Sequence, residues 1–169
     1  MKRGKIMDFS EKKVMVAYFS TKGVTKDIAE KVAAATKGKL FEIQAKEPYT
    51  DDDINWRDPD SRCNKEHNDP SIRPELLKKA HCPGQYEVFF IGYPNWYGVY
   101  PAIVQSFIDS LKLAGKTVVF FMTSGASKGG KAIDYAKGIT KDADKITWLG
   151  DERLNDFTQE QVNDWVAKL

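Results

Sequence analysis

The chain has 169 residues, of which 41% are hydrophobic and 30% charged, and its 26 basic and 24 acidic residues leave a formal net charge of +2 at pH 7. This length predicts a single domain with one core. Because both signs of charge are mixed along the chain, we predict neither a basic stripe that would bind nucleic acid nor a membrane-binding face. No apolar run is long enough to span a bilayer.

The amino terminus and the cysteines narrow the possible cellular location and the kind of site further. Residues 1–12 are polar and partly basic and lack the apolar core of a signal peptide, so we expect a flexible tail before one domain over residues 13–169. Cys63 and Cys82 lie far apart, and with two histidines in the chain the short-spaced ligand pairs of a zinc site are missing. We therefore predict no metal, and reduced thiols in a cytoplasmic protein.

The first predicted strand, residues 14–19, is an unbroken apolar run of the kind that is buried on both faces of a sheet. A helix with apolar residues at helical spacing follows to about residue 37. The first backbone N–H groups of that helix lack intrahelical partners, and the helix dipole is positive there. We therefore predict an anion site at this turn, most often one for phosphate. The alternative is that a hydroxyl residue simply caps the helix. Neither a P-loop nor a dinucleotide fingerprint is present. The turn between strand and helix consists of Ser20, Thr21, Lys22, Gly23, Val24 and Thr25.

A second strand over residues 39–45 has the mixed pattern of a strand near a sheet edge. Residues 46–85 contain five prolines and little apolar periodicity, and a connection of this length is either functional or holds short helices. We predict a capped helical turn over residues 50–56 and a second helix over residues 62–68. Trp56, a large aromatic residue in a polar loop, is expected to rest against another part of the protein.

The third strand, residues 86–93, is also of the buried kind, and a helix begins near Pro101. An aromatic loop lies between them, at the carboxyl end of a central strand, where open α/β sheets bind ligands. The alternative is that its aromatic rings cover the neighbouring helix as part of the core. The loop begins with Pro94, Asn95, Trp96, Tyr97 and Gly98.

A fourth strand over residues 116–122 ends in three small residues, Thr123, Ser124 and Gly125, which would let a planar ring approach the backbone. A weak helix to about residue 137 and a fifth strand over residues 145–149 follow. Thr158 and Gln161 have the spacing of a capping box and predict the start of a last helix.

Three motifs in these loops resemble the flavodoxin-like family. They are Tyr-Phe-Ser-x-x-Gly-x-Thr at residues 18–25, Gly-Tyr-Pro-x-Trp-x-Gly at residues 92–98 and Thr-Ser-Gly at residues 123–125. The resemblance covers residues 13–169. It implies an α/β three-layer sandwich in which a five-stranded parallel sheet of order 2-1-3-4-5 has helices on both faces and binds FMN at its switch point.

The resemblance also implies roles for these loops. Ser20, Thr21, Gly23 and Thr25 would hold the FMN phosphate, residues 94–98 would flank and stack on the isoalloxazine, and residues 123–125 would line its pyrimidine edge. Lys22 and Val24 depart from the family pattern, which usually has a hydroxyl residue and an asparagine there. Both changes remove a potential hydrogen bond to phosphate, although Lys22 adds a positive charge.

The function implied is electron transfer between FMN and a redox partner protein or a small-molecule electron acceptor, by a monomer or homodimer. Electron-shuttling flavodoxins are typically acidic, and the charge balance here does not support such steering. Two alternatives stay open. One is an FMN-dependent NAD(P)H:quinone-type oxidoreductase, in which residues 46–85 cover the flavin. The other is a non-enzymatic binding protein on a flavodoxin scaffold that has lost FMN.

Overall fold

Strands and helices alternate along most of the chain in the computed structural model, which describes residues 7–126 and 128–169. The strands are β1 (Val14–Tyr18), β2 (Lys39–Glu42), β3 (Val88–Pro94), β4 (Thr117–Thr123) and β5 (Thr147–Arg153). The α-helices are α1 (Val24–Thr36), α2 (Arg62–Asn68), α3 (Ala102–Asp109), α4 (Ala132–Ile139) and α5 (Gln159–Ala167).

The five strands form one parallel sheet of order β2-β1-β3-β4-β5, which confirms the predicted fold. The central strands are buried along almost their whole length, whereas β2 is only partly buried at its edge. The parallel register pairs Tyr18 with Gly92 and Pro94 with Thr123. It therefore brings the loops after β1, β3 and β4 together at one edge of the sheet.

Helices cover both faces of the sheet. On one face α1 and α5 pack against alternate strand residues such as Val16, Phe90 and Phe121. On the other face α3 and α4 pack against the strand residues that alternate with these, such as Phe89 and Phe120. Alternation of side chains across each strand supplies both cores, which is why the apolar runs are continuous.

Part of the predicted amino-terminal tail is packed on the domain. Phe9 is 5% exposed, and its ring centroid lies 5.2 Å from that of Phe90. Burying an aromatic side chain stabilises the folded state by about 1.5–3 kcal/mol, enough to hold a short segment in place. The flexible tail predicted over residues 1–12 therefore does not extend to Phe9, which is packed on the domain. Residues 1–6 lie outside the described part of the chain.

Residues 46–85 fold over the α3 side of the sheet. The predicted helix at residues 62–68 is confirmed as α2. At residues 50–56 the chain forms hydrogen-bonded turns without an α-helix, and Thr50 and Asp53 cap each other through two bonds of 3.0 and 3.2 Å between backbone and side chain. The segment is tied back to the sheet edge where Leu77 N donates to the carbonyl of Gln44 at 2.8 Å.

Strand β5 continues to Arg153, beyond the predicted end at residue 149. A register shift opposite Phe120 and Phe121 marks a bulge, and Gly150 and Asp151 there have φ values of +79° and +82°. A Cβ on Gly150 would lie 2.3 Å from the carbonyl oxygen of Phe120, so a side chain does not fit. The bulge interrupts the alternating pattern, which hid the second half of this strand from sequence analysis.

Candidate functional site

A cleft of about 310 Å³ lies where the loops after β1, β3 and β4 meet. Of the residues predicted from sequence, Gly23, Tyr97 and Gly98 do not line it. The residues that do are Ser20, Thr21, Lys22, Val24, Thr25, Pro94, Asn95, Trp96, Thr123, Ser124 and Gly125, joined by Asn155. The structure therefore brings most of the predicted residues together in a single cleft.

The turn after β1 leaves the amino terminus of α1 without a side-chain cap. Gly23 is the N-cap residue, with φ +89°, and no side chain bonds to the first turn. The first intrahelical bond is donated by Asp27 N to Gly23 O at 3.1 Å, so the N–H groups before it lack intrahelical partners. Ser20 Oγ accepts from Gly23 N at 3.0 Å and shapes the turn. An anion is electrostatically favoured at such a terminus.

A residue predicted for the phosphate turn, Thr25, bonds to one predicted for the pyrimidine edge, Thr123. The hydroxyls of Thr25 and Thr123 lie 2.8 Å apart, and both residues are buried. Only one hydrogen is used in this bond, so the pair keeps a second O–H donor for a ligand. The bond ties the turn after β1 to the end of β4.

Lys22 pairs with an acidic residue of the segment 46–85. Its Nζ lies 2.5 Å from Asp51 Oδ1, and both side chains are exposed. The hydrogen bond and charge of the Lys22 ammonium lower the pKa of the Asp51 carboxyl. Residues 51–60 hold five aspartates and one arginine, so the protein is locally acidic beside the cleft despite its net charge of +2.

The loop after β3 reverses in a tight turn. Trp96 and Val99 exchange backbone hydrogen bonds of 3.0 and 3.2 Å, and the two residues between them, Tyr97 and Gly98, have φ values of +58° and +88°. These angles match a type I′ turn. The turn directs Trp96 toward the cleft, where its ring packs edge-on against Phe19 and Tyr49 with centroid distances of 5.7 and 5.5 Å.

Tyr97 contacts α2 instead of the cleft. Its hydroxyl donates to Asn64 Oδ1 at 2.6 Å and lies 3.2 Å from Cys63 Sγ, and its ring stacks on His67 at a centroid distance of 4.3 Å. Partial burial, followed by the hydrogen bond with Cys63, raises the pKa of Tyr97. A positive φ is unfavourable for tyrosine, so these contacts stabilise a strained backbone.

Asn95, one of the residues that line the cleft, has an unpaired buried acceptor. Its backbone N–H donates to Thr123 O at 2.8 Å, whereas its buried side-chain oxygen Oδ1 has no hydrogen-bond partner among residues 7–126 and 128–169. An unsatisfied buried acceptor costs about 1–3 kcal/mol. A ligand that offers an N–H or O–H group to Asn95 would remove this cost.

Three residues that shape the loop after β4 were missed by sequence analysis. Asn155 Oδ1 accepts from Ser124 N at 2.8 Å, and Arg153 Nε donates to Ser124 O at 2.9 Å. Asp151 Oδ2 accepts from the backbone N–H groups of Gly130 and Ala132 at 2.8 and 3.1 Å. All three residues lie beyond the predicted end of the fifth strand, and a polar stretch after a strand was their only sequence signal.

Comparison with known proteins identifies the family. The model of a flavodoxin family matches residues 13–169. The chain belongs to the flavodoxin family. No curated protein sequence matches this flavodoxin-family chain. Within the described residues, no histidine, cysteine or carboxylate side chains cluster as metal ligands, and no helix has the length and hydropathy needed to cross a membrane.

Solved structures share the fold of this flavodoxin-family protein over nearly its whole length. A provisionally named flavoprotein from Bacteroides eggerthii DSM 20697 is 38% identical, with a TM-score of 0.86 and coverage of 92% of this chain and 96% of that one. A similarly named protein from Bacteroides uniformis ATCC 8492 is 37% identical, with a TM-score of 0.85 and coverage of 92% and 97%. A flavoprotein from Lactobacillus acidophilus NCFM, solved in complex with FMN, is 22% identical, with a TM-score of 0.70 and coverage of 91% and 98%.

Proposed function

We propose that this flavodoxin-family protein binds FMN in the cleft and functions in electron transfer. The observation that carries the proposal is the pairing of two features in one cleft: the uncapped amino terminus of α1 and the buried, unpaired Oδ1 of Asn95. The first suits a phosphate monoester, and the second suits an N–H or O–H group of the flavin. The Lactobacillus flavoprotein binds FMN but is too distant in sequence to show more than the fold.

In this proposal each loop has a separate task. Ser20, Thr21 and the backbone of residues 23–25 would hold the phosphate, with Lys22 supplying a positive charge. Trp96 would contact the isoalloxazine. Residues 123–125 would border its pyrimidine edge, positioned by the hydrogen bond from Ser124 N to Asn155. When bound, FMN would supply the one- and two-electron chemistry that these side chains lack. Tyr97 would hold the loop against α2 and would not contact the FMN.

The local charge supports electron transfer with another protein. Asp51 contacts Lys22 of the cleft, and four more aspartates follow it within residues 52–60, so this segment would attract a positively charged redox partner even though the whole chain is slightly basic. A cytoplasmic location is part of the same proposal and is consistent with the absence of a disulfide between Cys63 and Cys82.

Flavin titration tests the proposal. The apoprotein is titrated with FMN, FAD and riboflavin, and we expect FMN to bind best, with riboflavin weaker by about tenfold or more because it lacks the phosphate. Equal affinity for riboflavin and FMN would show that the phosphate does not contribute to binding. Failure to bind any flavin would favour a non-enzymatic binding protein.

Mixing the FMN-loaded protein with NADH and NADPH separates the other two functions. An electron carrier should be bleached slowly by both nicotinamides and rapidly by a reduced redox protein. Rapid bleaching by NADH or NADPH alone would instead indicate an FMN-dependent oxidoreductase.

A further inference from the structure

A second cavity of about 330 Å³, called the side pocket below, adjoins the cofactor cleft. It shares Asn95 and Trp96 with the cleft, and its other walls come from the segment 46–85 and from the turn after β3. Its volume falls in the range of about 300–1,000 Å³ that is typical of small-ligand pockets. Its lining residues are Ile54, Trp56, Cys63, Asn95, Trp96 and Tyr97.

One wall of the side pocket is a largely exposed tryptophan, Trp56, on an anchored turn, with the guanidinium carbon of Arg57 5.1 Å from its ring centroid. The Trp56 residue is 65% exposed. Its backbone is nevertheless fixed, because Asn64 Nδ2 donates to the carbonyl oxygens of Trp56 and Asp58 at 3.0 and 2.7 Å. Burial of a tryptophan ring is a large source of stabilisation, and folding alone does not explain a ring held in place but left in water.

The Tyr97 wall of the side pocket is held by the same residue, Asn64. Asn64 Oδ1 accepts the hydrogen bond of the Tyr97 hydroxyl at 2.6 Å, while stacking on His67 fixes the plane of the Tyr97 ring. Asn64 is therefore a positioning residue that joins the two aromatic walls through its two amide ends. The side pocket is formed before any ligand arrives, which lowers the entropy lost on binding.

The lining chemistry selects the ligand class. Three of the six lining residues are aromatic, and none of these described side chains carries a charge. A nucleotide or other phosphate ester would find no countercharge on these six residues, and the neighbouring cation Arg57 lies over the Trp56 ring. Flat aromatic walls favour a flat ring, and the absence of charge favours a neutral one.

We infer that the side pocket binds a planar, uncharged aromatic molecule of one or two fused rings, such as a quinone, next to the cofactor cleft. That this ligand serves as an electron acceptor rests on the proposed function, whereas its binding does not.

The test uses 2,3-dimethyl-1,4-naphthoquinone as the probe and its 6-sulfonate as the charged counterpart. The methyl groups block addition of the exposed Cys82 thiol to the quinone ring. Dissociation constants are measured by calorimetry with and without FMN, for the wild type, for Trp56→Ala and for Leu77→Ala. Leu77 is the matched control because it is 57% exposed and lies in the same segment but outside the side pocket.

We expect Trp56→Ala to weaken binding of the neutral quinone by about tenfold and Leu77→Ala to leave it unchanged. We also expect the sulfonate to bind more weakly than the neutral ring, and FMN affinity to be the same in all three proteins. Quinone binding that depends on Trp56 in a protein that binds no FMN would support the side pocket while rejecting the proposed function.

Four results would overturn the inference: no quinone binding, equal affinity in Trp56→Ala and wild type, equal affinity for the sulfonate, or displacement of FMN by the quinone. The last would place the ring in the cofactor cleft. The first includes the case in which a partner protein's side chain, and no small molecule, fills the pocket.

Discussion

The turn after β1 and the loop after β3 border the same cleft, but their side chains are held by partners at different distances along the chain. In the first, Ser20 Oγ bonds to the N–H of Gly23, three residues away. In the second, the Tyr97 hydroxyl is held by Cys63 and Asn64, more than thirty residues upstream. The backbone of the phosphate turn is therefore shaped locally, although Thr25 and Lys22 of this turn also reach Thr123 and Asp51. The aromatic end depends throughout on the packing of residues 46–85.

This difference predicts where the site is robust. A substitution of an exposed residue in the turn after β1, such as Lys22, should change ligand affinity without changing the rest of the fold. A substitution in the loop after β3 should change the position of α2 and the side pocket as well.

The largest effect is expected for Trp96→Ala. Trp96 lines the cleft and packs against Phe19 and Tyr49, so the substitution should cost about 2–3 kcal/mol of unfolding free energy and weaken FMN binding by more than tenfold. Urea unfolding of the apoprotein and FMN titration measure the two effects. Tyr97→Ala is the comparison, because it should destabilise the loop yet change FMN affinity less. Equal losses of FMN affinity in the two variants would mean that both rings contact the flavin.

Asn95→Leu should have opposite effects on the free and bound protein. Removing the unpaired Oδ1 should raise the stability of the apoprotein by about 1 kcal/mol, and loss of the bond to FMN should weaken FMN binding by about tenfold. Thermal unfolding measures the expected rise in apoprotein stability, and flavin titration measures the expected fall in FMN affinity. A lower apoprotein stability together with unchanged FMN affinity would show that Asn95 has a purely structural role.

Lys22→Thr and Asp51→Asn test the charge at the phosphate turn. Because Asp51 competes for the Lys22 ammonium, Asp51→Asn should tighten FMN binding and Lys22→Thr should loosen it, each by about threefold at low salt. Lys22→Thr should also lower the flavin reduction potential slightly, since a cation favours the more negative reduced flavin. Titrations at low and high salt check the sign and the screening. If both variants match the wild type at every salt concentration, the backbone and hydroxyls hold the phosphate alone.

The smallest effect concerns pH. Burial against Tyr97 lowers the pKa of His67 below its ordinary value of 6.5 in the folded state. Neutral His67 is therefore favoured on folding, so its contribution to stability is complete above pH 6.5 and is lost as the pH falls through the lowered value. Urea midpoints between pH 8 and 5 should decline less in His67→Gln than in the wild type. Parallel curves for the two proteins would show that the stack does not discriminate between protonation states.

Sequence analysis predicted the strand order, α2 and the capping box at Thr158 and Gln161, all of which the structure confirms. The strand order was implied by the resemblance to the flavodoxin-like family, whereas α2 and the capping box are recorded locally, in residues three or four apart. It did not predict the second half of β5, because Gly150 and Asp151 bulge and break the alternation that identifies a strand. With that half missing, Asn155 could not be placed at the cleft.

The sequence by itself determined that a hydroxyl-rich turn joins a strand to a helix, where we predict an anion site, and that two further loops end on the same sheet edge. Only the tertiary structure decided that Trp96 lines the cleft while Tyr97 turns to α2, and that Lys22 meets Asp51. The physical reason is that the hydrogen bonds of a helix join residues four apart, and that an unbroken apolar run records the burial of a strand, so both are visible in the sequence. The partner of a loop side chain is set instead by how a distant segment, here residues 46–85, packs against the sheet.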